Sequence, residues 1–168
     1  LDQDREVIRT KKPLIGQLER HYYASGQVGW CLTYKYPLIS HAGEAIGLVG
    51  FSRDLARPNE SSEDYRHVDE ALRFARKNIA KPASVMEMAR VAGLSRYQLD
   101  RRMRTAFGLS AGQWLLKQRI DLACQRLTES DEPISAIAIA AGYADQSAFS
   151  RQFRRTTGIS PGQYRASA

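Results

Sequence analysis

The chain has 168 residues, a formal net charge of +7 and a sequence pI of about 9.6, so a polyanion is an expected partner. It has no run of about 18 apolar residues, which excludes a membrane-spanning helix, and Leu1-Asp2-Gln3-Asp4 lacks the apolar core of a signal peptide. Cys31 and Cys124 are too few and too far apart for a disulfide scaffold or a metal cluster, so a reduced, cytoplasmic setting is expected. Because the first residue is Leu rather than Met, the chain reads as a processed or trimmed piece of something longer.

The first half reads as a short helix followed by strands. Leu14–Tyr23 is one apolar run. In Val28–Leu38 the residues Val28, Trp30, Leu32, Tyr34, Tyr36 and Leu38 alternate with Gly29, Cys31, Thr33, Lys35 and Pro37, and a period of two puts the large residues on one strand face. Pro37 suggests an edge position or a strand end. Ala45–Phe51 is a third run, with Ser25-Gly26 and Ala42-Gly43 as turn residues between. Three antiparallel strands follow. The polar stretch Arg57–Asp64 has no apolar period and reads as a linker. Up to residue 62 there are eight basic and seven acidic residues, and beyond it seventeen and eleven, so the basic excess lies in the second half.

That half is helical throughout, and its helix starts are legible. Ser84-x-x-Glu87, Ser95-x-x-Gln98, Ser110-x-x-Gln113 and Ser160-Pro161-x-Gln163 have the spacing at which a Ser side chain accepts from the N3 amide while the Glu or Gln side chain reaches back. Ser110 to Glu129 reads as one helix, with Leu116, Ile120, Ala123 and Leu127 as its stripe.

An internal repeat organises these helices. Ala89 matches Ala138 and Gly93 matches Gly142 at an offset of 49, whereas Leu99–Phe149, Gly108–Gly158 and Ser110–Ser160 match at an offset of 50. Each copy has the logic of a helix-turn-helix. A small residue sits where two helices cross closely, and a Gly follows where the first helix ends and φ turns positive. Leu94 or Tyr143 plugs the corner. The second helix buries Leu99, Met103 and Phe107 in one copy, and Phe149 and Phe153 in the other. Its other face carries Arg96, Arg101, Arg102 and Arg104 against Asp100, or Arg151, Arg154 and Arg155 against Asp145. An apolar face docks on a core while an arginine face enters a major groove. Arginine-rich faces are commonly plain solvated surface, but two copies in the same order favour DNA binding. The joining helix spans about 30 Å at 1.5 Å per residue, close to the roughly 34 Å between successive major-groove openings.

At these residues the chain resembles the AraC/XylS family of bacterial transcription regulators. The resemblance covers about residues 65–166 and rests on Ala89-x-x-Ala92-Gly93-Leu94-Ser95-x-x-x-Leu99-x-Arg101, Gly108-Leu109-Ser110, Ile137-Ala138-x-x-Ala141-Gly142-Tyr143-x-Asp145-x-Ser147-x-Phe149-Ser150-Arg151-x-Phe153-Arg154, and Gly158-Ile159-Ser160-Pro161-x-x-Tyr164-Arg165. Met103 stands where the family often has an aromatic. The resemblance implies base reading by Arg96, Tyr97, Asp100 and Arg101 in the first recognition helix and by Gln146, Ser147, Ser150 and Arg151 in the second. Asp100 equally admits a structural role, holding Arg96 or Arg104. Ser95, Arg102, Arg104, Arg154 and Arg155 suit phosphate contacts. The first half resembles the C-terminal strands of a PAS sensor domain, through Gly29-Trp30, Pro37-Leu38, Gly43 and Ala45-Ile46-Gly47-Leu48-Val49-Gly50-Phe51-Ser52-Arg53-Asp54. Trp30, Tyr34 and Tyr36 are read as core or dimer surface ahead of a ligand pocket.

The expected class is α+β: an all-α tandem helix-turn-helix domain of about seven helices, preceded by a partial antiparallel PAS-like sheet. The expected organisation is a sensor or dimerisation part over 1–56, a linker over 57–64, and a DNA-binding domain over 65–168 with helix-turn-helix units near 84–107 and 134–157. The expected function is sequence-specific regulation of transcription, gated by the first half. The rival is a DNA-binding module attached to a repair enzyme, whose chemistry needs an activated thiolate; neither cysteine has a partner motif, and His21, His41 and His67 show no ligand or triad spacing. No catalytic residue, metal or cofactor is expected. The partners expected are double-stranded DNA, a small-molecule effector held by the PAS-like part, a second copy of the chain and RNA polymerase, but no membrane.

Overall fold

The computed structural model describes residues 2–22, 28–55, 63–81 and 84–167. It divides into two units, 1–55 and 56–168. The Ser25-Gly26 turn lies outside the described residues, as does the expected linker apart from Glu63 and Asp64.

The first unit is α1 (Asp2–Thr10) followed by β1 (Leu14–Tyr22), β2 (Val28–Ile39) and β3 (Ala45–Asp54). The strands form an antiparallel sheet in the order β1-β2-β3. The turn into β3 is closed by Gly43 N donating to Ser40 O at 2.9 Å, with Gly43 at φ 79°, a conformation that costs glycine nothing. Pro37 lies in the central strand, yet the β1–β2 pairing stops at Leu14–Lys35 while Pro37 pairs with Leu48 of β3. At Pro37 the central strand is therefore an edge, so the missing N–H need cost no ladder bond.

The two faces of this sheet are not simply apolar and polar. Glu19, Thr33 and Ser52 form one row: Thr33 Oγ1 donates to Glu19 at 2.6 Å and lies 3.0 Å from Ser52 Oγ. α1 is tied to this row by Gln3 on Glu19 and by Lys35 on Asp4 at 2.7 Å, and Val7 is its buried residue. The large-residue row of β2 is buried at Trp30 and Leu32. Farther along, Tyr34 stacks on Phe51 with ring centres 4.9 Å apart, yet Phe51 remains 58% exposed. Tyr36, Leu38 and Val49 beside them are exposed too. The expected core stripe is thus core at one end and open surface at the other.

The second unit holds seven helices among the described residues: α2 (Glu63–Lys77), α3 (Val85–Val91), α4 (Arg96–Phe107), α5 (Ala111–Glu129), α6 (Ile134–Ala140), α7 (Gln146–Thr157) and α8 (Pro161–Ala166). α2 starts at Glu63, so the last two residues of the expected linker are helical. Their acidic side chains suit the positive end of the helix dipole. All four anticipated capping boxes form, at Ser84, Ser95, Ser110 and Ser160. Gly93, Gly108, Gly142 and Gly158 all have positive φ and follow α3, α4, α6 and α7.

α5 is the spine, packing against α4, α6 and α8. Its buried set differs from the expected stripe, since Leu116 is only half-buried. Ile120, Ala123 and Leu127 are buried, but so are Ala111, Trp114, Leu115 and Cys124, because a helix packed between neighbours needs more than one apolar face. At its far end Arg126 pairs with Glu132 at 2.9 Å, and Arg165 of α8 donates to the Glu132 carbonyl at 2.6 Å.

Candidate nucleic-acid interface

α4 and α7 are built alike. α4 begins at Ser95, whose Oγ accepts from Gln98 N at 3.2 Å while Gln98 Oε1 accepts from Ser95 N at 2.8 Å. α7 begins at Asp145, whose Oδ1 accepts from Ala148 N at 2.7 Å. α4 buries Leu99, Met103 and Ala106, while the expected Phe107 is only half-buried, its ring lying between Tyr65 and Trp114, and α7 buries Phe149, Phe153 and Thr156. Met103 is fully buried, so it fills the core where the resemblance leads one to expect an aromatic. The corner residues also differ. Tyr143 meets Phe149 edge-on at 5.3 Å, and Phe149 and Phe153 continue the ring contacts to Tyr164.

The remaining faces are exposed. On α4 these are Arg96, Tyr97, Gln98, Arg101 and Arg104; on α7, Gln146, Ser147, Arg151, Arg154 and Arg155, with Ser150 half-buried. Tyr97 is 75% exposed in the first turn of its helix, where a large ring gains nothing from the core and offers a stacking or hydrogen-bonding surface to a partner. All but one of the side chains expected to read bases therefore lie on two matching surfaces.

Asp100 departs from this pattern. It is half-buried, and its Oδ1 accepts from Ala111 N, the first amide of α5, at 2.8 Å. This is neither of the two expected roles. The carboxylate satisfies one of the orphan donors at a helix start and ties the recognition helix to the spine. The second copy removes both halves of the tether, because Ser150 stands at the Asp100 position and Pro161, which has no N–H, stands at the Ala111 position. Arg102, expected on phosphate, is half-buried and pairs with Asp64 of α2 at 3.3 Å. Asp145, counted in the sequence only as an opposing charge, is a helix cap. Its signal was present in the repeat, since it lies 50 residues after Ser95. With Asp100 and Asp145 both turned to backbone amides, the outward faces of α4 and α7 are left basic.

The cysteines offer no matching chemistry. Cys31 and Cys124 are both buried, and burial pushes the Cys31 thiol above its usual range, away from the thiolate a nucleophile needs.

Two capped recognition helices of this kind, each behind its own turn and joined by one helix, define a tandem helix-turn-helix domain. Residues 88–167 match a helix-turn-helix domain family, and residues 1–60 match a PAS-fold family. A putative AraC-like transcription regulator of Streptomyces antibioticus is 37% identical over 98 residues, which are 58% of this chain and 32% of that protein. The regulatory protein SoxS of Salmonella typhimurium is 34% identical over 89 residues, 53% of this chain and 83% of that protein. Among solved structures, the DNA-binding domain of the global transcriptional factor AdpA, in complex with a target DNA, is 33% identical with a TM-score of 0.57, over 60% of this chain and 90% of that one. The chain belongs to the AraC-type helix-turn-helix family of transcription regulators. It spans about a third of the length of the longer curated relatives it matches. No described helix is long and apolar enough to cross a membrane.

Proposed function

We propose that this protein binds double-stranded DNA at specific sequences by laying α4 and α7 into successive major grooves. The observation that carries this reading is the matched pair of exposed faces: basic and polar side chains on two helices with equivalent caps and buried sides, joined by a spine of 19 residues, which span about 28 Å. That length is close to the roughly 34 Å repeat of the groove. Arg96, Tyr97, Arg101, Gln146, Ser147, Ser150 and Arg151 read bases, with Arg suited to guanine and Gln to adenine. Arg104, Arg154 and Arg155 contact phosphates with the Ser95 end of α4, and these contacts position rather than specify. The two faces differ in sequence, so the site is asymmetric, with two boxes about one helical turn apart. The DNA-binding part runs from the start of α2 to the end of the chain.

The role is regulatory rather than enzymatic and is exercised in the cytoplasm. The PAS-like unit acts as sensor or dimerisation part, with a small-molecule effector, a second copy of the chain and RNA polymerase as further partners. The open end of its sheet and its match to a PAS fold support that part of the reading. Selection of bound duplexes from a randomised pool, followed by footprinting, tests the proposal. Recovery of one asymmetric two-box site is the expected result. A palindromic site, or equal affinity for selected and random duplexes, defeats it.

A further inference from the structure

The second helix-turn-helix unit touches the part of the domain before the first unit at a place besides the spine. Past α2 the chain turns over residues 78–81, and the α6–α7 turn lies directly against this segment. A methyl group placed on Gly142 would stand 2.2 Å from the Ile79 carbonyl oxygen. The corresponding Gly93 also has a positive φ, but nothing lies within 4 Å of the same point. One turn is thus open and the other is pinned.

Arg119, midway along α5, closes the junction. Its Nη2 donates to the Lys81 carbonyl at 3.1 Å, and its guanidinium carbon lies 5.9 Å from the Tyr143 ring centre. Nε and Nη2 are each 3.0 Å from the position a Gly142 Cβ would take. The Nε is buried with no hydrogen-bond partner among the described residues. Arg119 is half-buried, and that burial disfavours its charged form. A planar group that reaches from α5 to two other segments, the 78–81 turn and the α6–α7 turn, holds their relative geometry. α5 alone meets α4 and α6 through short connections, and this additional contact, from the 78–81 segment to the α6–α7 turn, removes the swivel those connections allow.

We propose that Arg119, acting with Gly142 and the Lys81 carbonyl, is a positioning residue that fixes α7 relative to α4 and so selects the interval between the two DNA boxes. The proposal rests on the DNA-binding reading above. A rigid link between two binding modules raises the effective concentration of the second when the interval fits, and penalises intervals that do not.

The test uses the full chain and a duplex recovered from the randomised pool, remade with the interval between boxes lengthened or shortened by one and two base pairs, and with either box scrambled. Arg119→Gln and Tyr143→Leu are compared with the wild type after circular dichroism confirms folding. Tyr143→Leu restores the corner residue of the first unit, so it removes the ring by a change the fold already uses. The expected result is about a tenfold loss on the preferred duplex and a flattened dependence on interval, with single-box affinity unchanged. A merely structural role would lower the melting temperature without moving the interval profile. An unchanged profile in the folded variants, or single-box affinity falling in step, overturns the proposal. A wild type that selects no two-box duplex overturns the DNA reading beneath it, and is seen before any variant is compared.

Discussion

Asp100 offers a decisive perturbation, because its base-reading and tethering roles predict opposite outcomes. Its carboxylate accepts from the buried first amide of α5, Ala111 N, at 2.8 Å. Removing the acceptor with Asp100→Ala strands a buried N–H, which costs about 1–3 kcal/mol, toward the upper end for a charged partner. Ala111→Pro removes the donor instead. It is compatible with the backbone: Ser110 sits at φ −68°, ψ 162°, the extended conformation a residue before proline adopts, and the first helical position tolerates proline. Pro161 occupies the equivalent place in the second copy. In the Ala111→Pro background Asp100→Ala should cost no more than about 0.5 kcal/mol, the range of ordinary surface changes. Denaturant unfolding of the four proteins gives the coupling, expected at about 1 kcal/mol or more. A coupling near zero, together with an altered base preference at one position of the selected site for Asp100→Ala, would refute the tether and make Asp100 a reader.

Three further outcomes are expected. Arg101→Ala and Arg151→Ala should each cost about 1–3 kcal/mol on the selected duplex and relax preference at one position, whereas Arg155→Ala should weaken all duplexes alike and flatten the salt dependence by about one unit of slope; competition binding at several salt concentrations separates the two. Gly93→Ala should cost about 1–2 kcal/mol for its positive φ alone, and Gly142→Ala distinctly more, because its Cβ also meets the Ile79 carbonyl at 2.2 Å; equal melting temperatures would contradict the close approach. The Ser84 backbone amide, and then its hydroxyl, hold the Glu87 carboxyl below its ordinary range, so its capping contribution is complete above the unfolded glutamate value and is lost as pH falls through the lowered folded one. Ser84→Ala with Glu87→Gln should flatten the acid limb of stability, and an unchanged limb would show that the cap's charge contributes nothing.

Much of the DNA-binding half was legible because its rules are local. A capping box joins residues three apart, so Ser84, Ser95, Ser110 and Ser160 announced four helix starts. A glycine at a positive φ answers to its own backbone, so Gly93 and Gly142 marked the two turns. Leu99 with Met103, and Phe149 with Phe153, lie one helical turn apart, and the arginines opposite them face outward except Arg102, which turns to Asp64. Asp145 is legible too, through its alignment with Ser95 in the repeat rather than through its charge among arginines.

The tertiary structure decided what depends on residues brought together from afar. Asp100 reaches an amide eleven residues on, and Arg102 and Arg119 reach partners 38 residues back; no periodicity relates such positions, and two of the three partners are backbone groups that carry no sequence signal. The PAS-like sheet shows the same division. Alternation in β2 determined which residues share a face, since successive side chains in a strand point to opposite sides. It could not determine that Trp30 and Leu32 are covered while Tyr36 and Phe51 stay open, because burial belongs to whatever packs on a face, and a strand's own sequence does not contain its neighbour.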